Sequence, residues 1–114
     1  MNKYKLKLTK DEAIALRSLC KLLYSAHVAD DSYSVKMLQA LYLEISLSIS
    51  KKINSGCINM ALVLSKAQVF AFMHAYTHIN LRELIGANPF VANVVRTAAE
   101  TLNKQLNEPV QPNV

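Results

Sequence analysis

The chain has 114 residues, of which 52% are hydrophobic and 18% are charged, and it contains only two glycines and three prolines. This length fits one domain, the apolar content excludes a disordered chain, and the scarcity of chain breakers disfavours a many-turned β fold. The formal net charge of +5 favours contact with anionic surfaces in general and selects no particular partner.

The first predicted element is a short strand at the N-terminus. A lysine alternates there with each apolar or aromatic residue, in the order Lys3, Tyr4, Lys5, Leu6, Lys7 and Leu8. A period of two is typical of a half-buried strand with one face in water. Thr9 follows, with Glu12 three positions later. This spacing is a capping box and predicts that a helix begins at once.

Two helices are predicted next. The first runs from about Lys10 to Ala26, because apolar residues recur there every three or four positions. Residues 27–31 form a link. Ser32 then caps a second helix that reaches about Ile53, after which a glycine-containing stop signal follows.

One segment of the second helix has a competing interpretation. Between Leu41 and Ser50 the apolar residues occupy every odd position, which is strict β alternation and would allow a hairpin onto the following strand. A helix with apolar residues on two faces also explains the pattern, and such a helix is central and heavily buried. We favour the helix because the matching segment Phe90–Leu106 has a clear helical period, and the strand remains the alternative.

The second half of the chain repeats the same order of elements. Residues Ile58 to Leu64 are predicted as a second strand. A third helix is predicted from about Lys66 to Leu84 or Ile85, and the glycine that follows ends it.

The fourth helix has the clearest boundaries in the sequence. Asn88 is the predicted cap, Pro89 occupies the first helical position, and an apolar stripe continues to Leu106. Residues 1–107 are therefore predicted as a single helical domain, and residues 108–114 as a flexible C-terminal tail.

The two halves resemble each other at an offset of 56 positions. Thr9 with Glu12 and Ser65 with Gln68 are equivalent capping boxes, each behind an alternating apolar stretch. We predict a mainly α fold: a four-helix domain built from two strand-helix-helix units, with a small two-stranded antiparallel sheet across a pseudo-two-fold axis. True duplication and chance resemblance between amphipathic segments both remain open.

His74 and His78 are the strongest metal-ligand pattern in the sequence. Residues four apart share a helix face, but zinc requires a third and usually a fourth ligand. No glutamate follows the first histidine, so the metalloprotease motif is absent. Further ligands would have to come from tertiary contacts with Cys20, His27, Cys57 or Glu83. The alternative is a pair of polar residues on a helix flank, and we assign no metal ligand and no cofactor.

No catalytic residue is assigned either. Cys20 lies in an apolar helix stripe and is interpreted as a small buried hydrophobe, since a catalytic thiol requires an accessible, electropositive setting. Glu44, between two apolar residues, is the one acid that a core could bury, and a solvated helix face is the favoured alternative. No carboxylate pair suited to acid–base chemistry stands out, and we expect a protein that is not an enzyme.

Four lysines form a basic N-terminal arm that is the candidate nucleic-acid contact: Lys3, Lys5, Lys7 and Lys10. Such residues would contact phosphates without reading a base sequence. The alternative is a solvated strand face whose lysines keep the sheet edge from aggregating.

Two functional hypotheses follow. The first is a non-catalytic protein-interaction or assembly module, working as a homo-oligomer or with a protein partner, because the second helix has more apolar residues than one buried stripe requires. The second is a nucleic-acid-associated accessory protein that uses the basic arm. Two cysteines, no apolar leader and no apolar run of about eighteen residues lead us to expect a cytoplasmic protein without a membrane segment.

Overall fold

The computed structural model describes residues 4–25, 32–80, 86 and 88–107. In chain order its elements are β1 (Tyr4–Thr9), α1 (Lys10–Ser25), α2 (Tyr33–Asn54), β2 (Asn59–Leu64), α3 (Lys66–His78) and α4 (Pro89–Leu106). The described residues thus form a mainly helical fold with four helices and a two-stranded antiparallel sheet. The predicted fold class and the order of two strand-helix-helix units are confirmed.

The sheet joins the two halves of the chain. β1 and β2 run antiparallel, with Tyr4 opposite Leu64 and Leu6 opposite Leu62. Leu6 and Leu62 are the positions that the 56-residue offset makes equivalent, and a two-fold axis through the sheet would require them to face each other. Whether the halves arose by duplication stays a prediction.

Alternation decides which face of the sheet is buried. In both strands every second side chain lies in the core, and the intervening ones face solvent. The buried set consists of Tyr4, Leu6, Leu8, Met60, Leu62 and Leu64. Each fully buried aliphatic side chain contributes about 1.5–3 kcal/mol relative to exposure, so the period of two fixes the register of the sheet on the helices.

Both capping boxes form as predicted. The Thr9 amide donates to Glu12 Oε1 at 2.8 Å, while the Glu12 amide donates to Thr9 Oγ1 at 3.2 Å. The corresponding distances for Ser65 and Gln68 are 3.0 and 3.2 Å. Each strand therefore passes directly into a helix, because the hydroxyl residue at the strand end accepts one of the unpaired helix amides.

The disputed segment Leu41–Ser50 is helical. It lies inside α2, which begins after the Ser32 cap and ends at Asn54. Gly56, two residues later, has a φ of +86°. The inner positions of α2 are buried and the odd-numbered Leu47 is 59% exposed. The β-like alternation therefore reflects apolar residues on opposite faces of one helix, and not a strand.

The predicted end of the third helix was wrong. α3 ends at His78 and not at Leu84 or Ile85, and Ile79 has already left the helix with φ −108° and ψ 139°. Thr77, His78 and Ile79 have weaker helix propensity than unbranched residues or alanine, which favours an end at this turn. Residues 81–85 lie outside the described part of the chain.

The core lies between the sheet and the inner faces of all four helices. α1 contributes Leu16, Leu19 and Leu23, all at most 1% exposed, and α4 contributes Leu102 at 0%. α4 begins at Pro89 behind the predicted cap, whose Asn88 Oδ1 accepts from the amides of Phe90 and Val91.

The link at residues 27–31 and the predicted tail at residues 108–114 lie outside the described residues. None of the described helices is long and apolar enough to cross a bilayer.

Candidate functional site

The outer face of α2 carries large apolar side chains in solvent. Tyr33 is 88% exposed, Met37 60% and Leu47 59%, and Ala40 and Glu44 between them are also exposed. Their spacing of four, three, four and three residues places all five on one side of the helix. We call this set the outer stripe of α2. Only Glu44 within it is charged.

The rest of α2 is enclosed by its neighbours. On one flank Arg17 Nη1 of α1 donates to Ser50 Oγ at 3.3 Å. On the core side, Tyr42 Oη donates to the Ala71 carbonyl of α3 at 3.1 Å. α2 thus lies between α1 and α3, and within its outer stripe Glu44 is the residue whose side chain is hydrogen-bonded to a neighbouring helix among the described residues.

Glu44 occupies the solvated position that was the favoured alternative for it. The residue is exposed, and its Oε1 accepts from Gln68 Nε2 at 3.0 Å. The same Gln68 closes the capping box of α3, so this side chain links the start of α3 to the middle of α2.

Two lysines of the basic arm, Lys5 and Lys7, lie in the sheet. Lys5 and Lys7 are exposed on the outer face of β1, and Lys10 is exposed at the first position of α1. Lys3 lies outside the described residues. Contact with nucleic acid stays a prediction.

The free edge of β1 is partly closed by Gln105 of α4. The Lys5 amide donates to Gln105 Oε1 at 3.1 Å, and Gln105 Nε2 donates to the Lys5 carbonyl at 2.8 Å. This side chain thereby mimics one residue of a neighbouring strand. Nothing in the sequence marks Gln105 for this role, because the contact joins positions 100 residues apart.

A groove runs between this edge and α4. Its volume is about 360 Å³, and its α4 wall is formed by Val94, Thr97, Ala98, Thr101 and Gln105. The strand wall includes Lys5 and Lys7. A second, apolar groove of about 500 Å³ lies between α1 and the start of α4, lined by Ile14, Ala15, Phe90 and Val91 with Asp11 and Ser18.

The structure brings His74 and His78 together on the exposed side of α3. Their ring centroids are 4.8 Å apart, with the ring planes tilted by 46°. Within the described residues, no group of three histidine, cysteine, aspartate or glutamate side chains is placed to hold a metal ion. His27 and Glu83, the more distant ligand candidates, lie outside those residues.

Cys20 is placed in the core, as a small hydrophobe would be. It is 0% exposed, and burial raises the pKa of its thiol from 9.0 to about 12. A thiol that keeps its proton at neutral pH is a poor nucleophile. Cys57 is half-buried beside Ser55, with 3.4 Å between Sγ and Oγ.

No protein-family model, no curated protein and no solved structure matches this chain.

Proposed function

We propose that this chain is a non-catalytic assembly module that works as a homodimer, with the outer stripe of α2 as the dimer contact. The observation that carries the proposal is the set of large apolar side chains held in water there, led by Tyr33 at 88% exposed. Contiguous exposed apolar surface is the usual mark of a protein contact.

The order of residues in the stripe argues for a second copy as the partner. The series continues one step beyond Leu47, to the exposed Lys51. If two α2 helices pack antiparallel about their midpoints, Met37 of one copy lies opposite Leu47 of the other, and Tyr33 lies opposite Lys51. The four-three spacing is that of alternating a and d positions, which face each other in antiparallel helix pairs. The outer stripe of one copy is thus complementary to the outer stripe of a second copy.

The charges are compatible with this arrangement. Glu44 would lie opposite Ala40, whose small side chain leaves the carboxylate room to keep its bond to Gln68. Lys51 would lie beside the Tyr33 ring of the other copy, where a cation–π contact contributes about 0.5–1 kcal/mol at an exposed site. The two Glu44 side chains would lie in adjacent layers on either side of the two-fold axis, so the arrangement requires each carboxylate to stay turned toward Gln68 of its own chain.

The test substitutes Leu47, which the two-fold axis brings into the interface twice. Leu47→Lys should convert a dimer to a monomer, since an uncompensated buried charge costs about 3–5 kcal/mol and each 1.4 kcal/mol is a factor of about ten in affinity. Molar mass is measured by light scattering across a wide range of protein concentration. Ala92→Lys, at an exposed position of α4, adds the same charge away from the stripe and should leave the dimer intact.

A wild-type chain that is monomeric at every concentration would rule out the homodimer. A dimer that persists in Leu47→Lys would place the contact elsewhere on the surface.

The basic arm supports the second hypothesis, that of a nucleic-acid-associated accessory protein. Lys5 and Lys7 share one exposed sheet face, and binding through them would depend strongly on salt. Fluorescence anisotropy with a labelled DNA duplex tests it. Binding at low salt that weakens in a Lys5→Ser, Lys7→Ser double variant is the expected result, and absence of binding at low salt removes this hypothesis.

A further inference from the structure

On the edge of β1 that faces away from β2, one residue has a backbone amide and carbonyl without a hydrogen-bond partner among the described residues. Opposed residues in an antiparallel pair alternate between hydrogen-bonded and non-hydrogen-bonded pairs. Because Lys5 directs its amide and carbonyl to Gln105, its pair with Val63 is of the second kind, and so is the pair of Lys7 with Ala61. The amide and carbonyl of Lys7 therefore face outward, away from β2.

These outward groups have no protein partner among the described residues. They open into the groove between β1 and α4, whose volume of about 360 Å³ falls within the range of about 300–1,000 Å³ that is usual for ligand sites. A strand edge beside a helix is the geometry in which extended peptides add to a sheet, with backbone bonds for affinity and alternate side chains for specificity.

We propose that this groove, which we call the β1–α4 groove, binds an extended peptide segment in which acidic and apolar residues alternate. Side chains on the outer face of an added strand would lie beside Lys5 and Lys7, where opposite charges are favourable cross-strand neighbours. Side chains on the inner face would lie against the α4 wall at Thr97 and Thr101, beside Val94 and Ala98, which are 4% and 3% exposed and form the covered floor of the groove. The alternation of the sheet thus sets the alternation of the ligand.

Charge argues against a second copy of this chain in the same groove. Pairing β1 with β1 of another copy would place lysines opposite or beside lysines, which is destabilising. The outward residues of β2, Asn59, Ala61 and Val63, carry no charge to complement them. The α2 interface is formed by other elements, so the groove does not depend on the proposed function.

The probe is a palindromic peptide, acetyl-Val-Glu-Val-Glu-Val-amide, which presents the same pattern in either strand direction. The probe is titrated into the 114-residue protein and the amide chemical shifts are recorded. The resonances of Lys5 to Leu8, and those of Thr97 and Thr101 on the α4 wall, should shift. The Lys7 amide should become protected from exchange. The same peptide with lysine in place of glutamate should not bind.

Two substitutions of Lys7 separate backbone pairing from charge. Lys7→Pro removes the outward amide without breaking the β1–β2 ladder, since proline is tolerated at a strand edge, and should weaken binding roughly tenfold. Lys7→Gln keeps the amide, removes the charge and should weaken binding less. Gln105→Ala should strengthen binding, because it frees the Lys5 groups that Gln105 now occupies.

Equal affinities for Lys7→Pro and Lys7→Gln would overturn the proposal in favour of simple charge attraction. So would a titration that fails to bind the acidic probe, or one whose shifts lie on β2 instead. Exchange protection at Lys7 in the wild-type protein decides the matter if Lys7→Pro does not fold. Leu47→Lys, the dimer variant, should bind the probe as the wild type does, so the two proposals fail separately.

Discussion

α2 and α4 hold the same place in their strand-helix-helix units and differ in what they show to solvent. Apart from Phe90 at its start, which is 49% exposed, the outer side of α4 is polar. Arg96 Nη2 donates to Asn93 Oδ1 at 2.6 Å, and Arg96 Nη1 lies 3.9 Å from Glu100 Oε1. α2 presents Tyr33 at 88% exposed and Leu47 at 59% exposed. α4 leaves one large apolar side chain exposed, Phe90 at the groove beside α1, whereas α2 holds Tyr33, Met37 and Leu47 in solvent along one face. The difference locates the candidate interface on one helix.

The largest expected effect is the loss of unfolding free energy when a buried side chain is shortened, and it should be similar for the inner faces of α2 and α4. Ile49 of α2 and Leu102 of α4 are both 0% exposed. Ile49→Ala and Leu102→Ala should each lower the free energy of unfolding by about 2–5 kcal/mol, through lost burial and the cavity left behind. Urea denaturation followed by circular dichroism measures it.

Leu47→Ala is the matched control, because it shortens an exposed side chain on the same helix as Ile49. In the dissociated monomer it should change the unfolding free energy by no more than about 0.5 kcal/mol. A large loss there would mean that the stripe packs within the monomer, and the contrast between α2 and α4 would disappear.

The second-largest effect is expected at alkaline pH. The buried face of α2 contains a titratable side chain, Tyr42, whereas the buried residues of α4 do not titrate. Burial, followed by the charge of Cys20, raises the pKa of Tyr42 from 10.0 to about 12, and burial raises that of Cys20 from 9.0 to about 12. The folded state therefore holds both protons more tightly than the unfolded chain does. Their contribution to stability is complete below pH 9 and is lost as the pH rises towards 12.

The expected result is a fall in the free energy of unfolding above pH 9, measured by urea denaturation at several pH values. A double variant, Tyr42→Phe with Cys20→Ala, is less stable at neutral pH but should lose less between pH 9 and pH 12. All other titratable groups are the same in the two proteins, so their effect cancels. Identical slopes in the two proteins would show that neither buried group drives the alkaline loss.

The smallest expected effect concerns the start of α4. Asn88 Oδ1 accepts from two amides, at 3.0 and 3.3 Å, and Asn88→Ala should cost about 1 kcal/mol of unfolding free energy. Asn88→Asp keeps an acceptor and should retain most of it. Because α4 lies outside the proposed dimer contact, the loss should not vary with protein concentration. A loss that grows as the protein is diluted would implicate α4 in the dimer.

Local signals accounted for most of the elements. The hydroxyl residues at Thr9 and Ser65 and the Asn88–Pro89 pair mark helix starts, since caps satisfy backbone amides that no other nearby group can reach. The end of α3 at His78 differs from the prediction, because Gly86 is the strong breaker in the sequence and the low helix propensity of Thr77, His78 and Ile79 is a weaker signal. Sustained apolar spacing does not guarantee that a helix continues.

The candidate sites were less predictable than the fold. Lys5 and Lys7 could be placed on the outer face of a strand from alternation alone, and helix spacing alone placed the His74 and His78 rings on one face. The open edge of β1 could not be foreseen, because it depends on Gln105 reaching back from the other end of the chain.

The sequence by itself determined where the helices begin and which side chains of the sheet and of α1 face the core. Those properties follow from capping groups and from periods of two and of three to four residues, which act within a few positions. Only the tertiary structure decided that the Leu41–Ser50 segment is helical, that the outer stripe of α2 stays uncovered, and that a groove opens beside β1. These features depend on which elements become neighbours, and that is set by the joint burial of residues far apart in the chain.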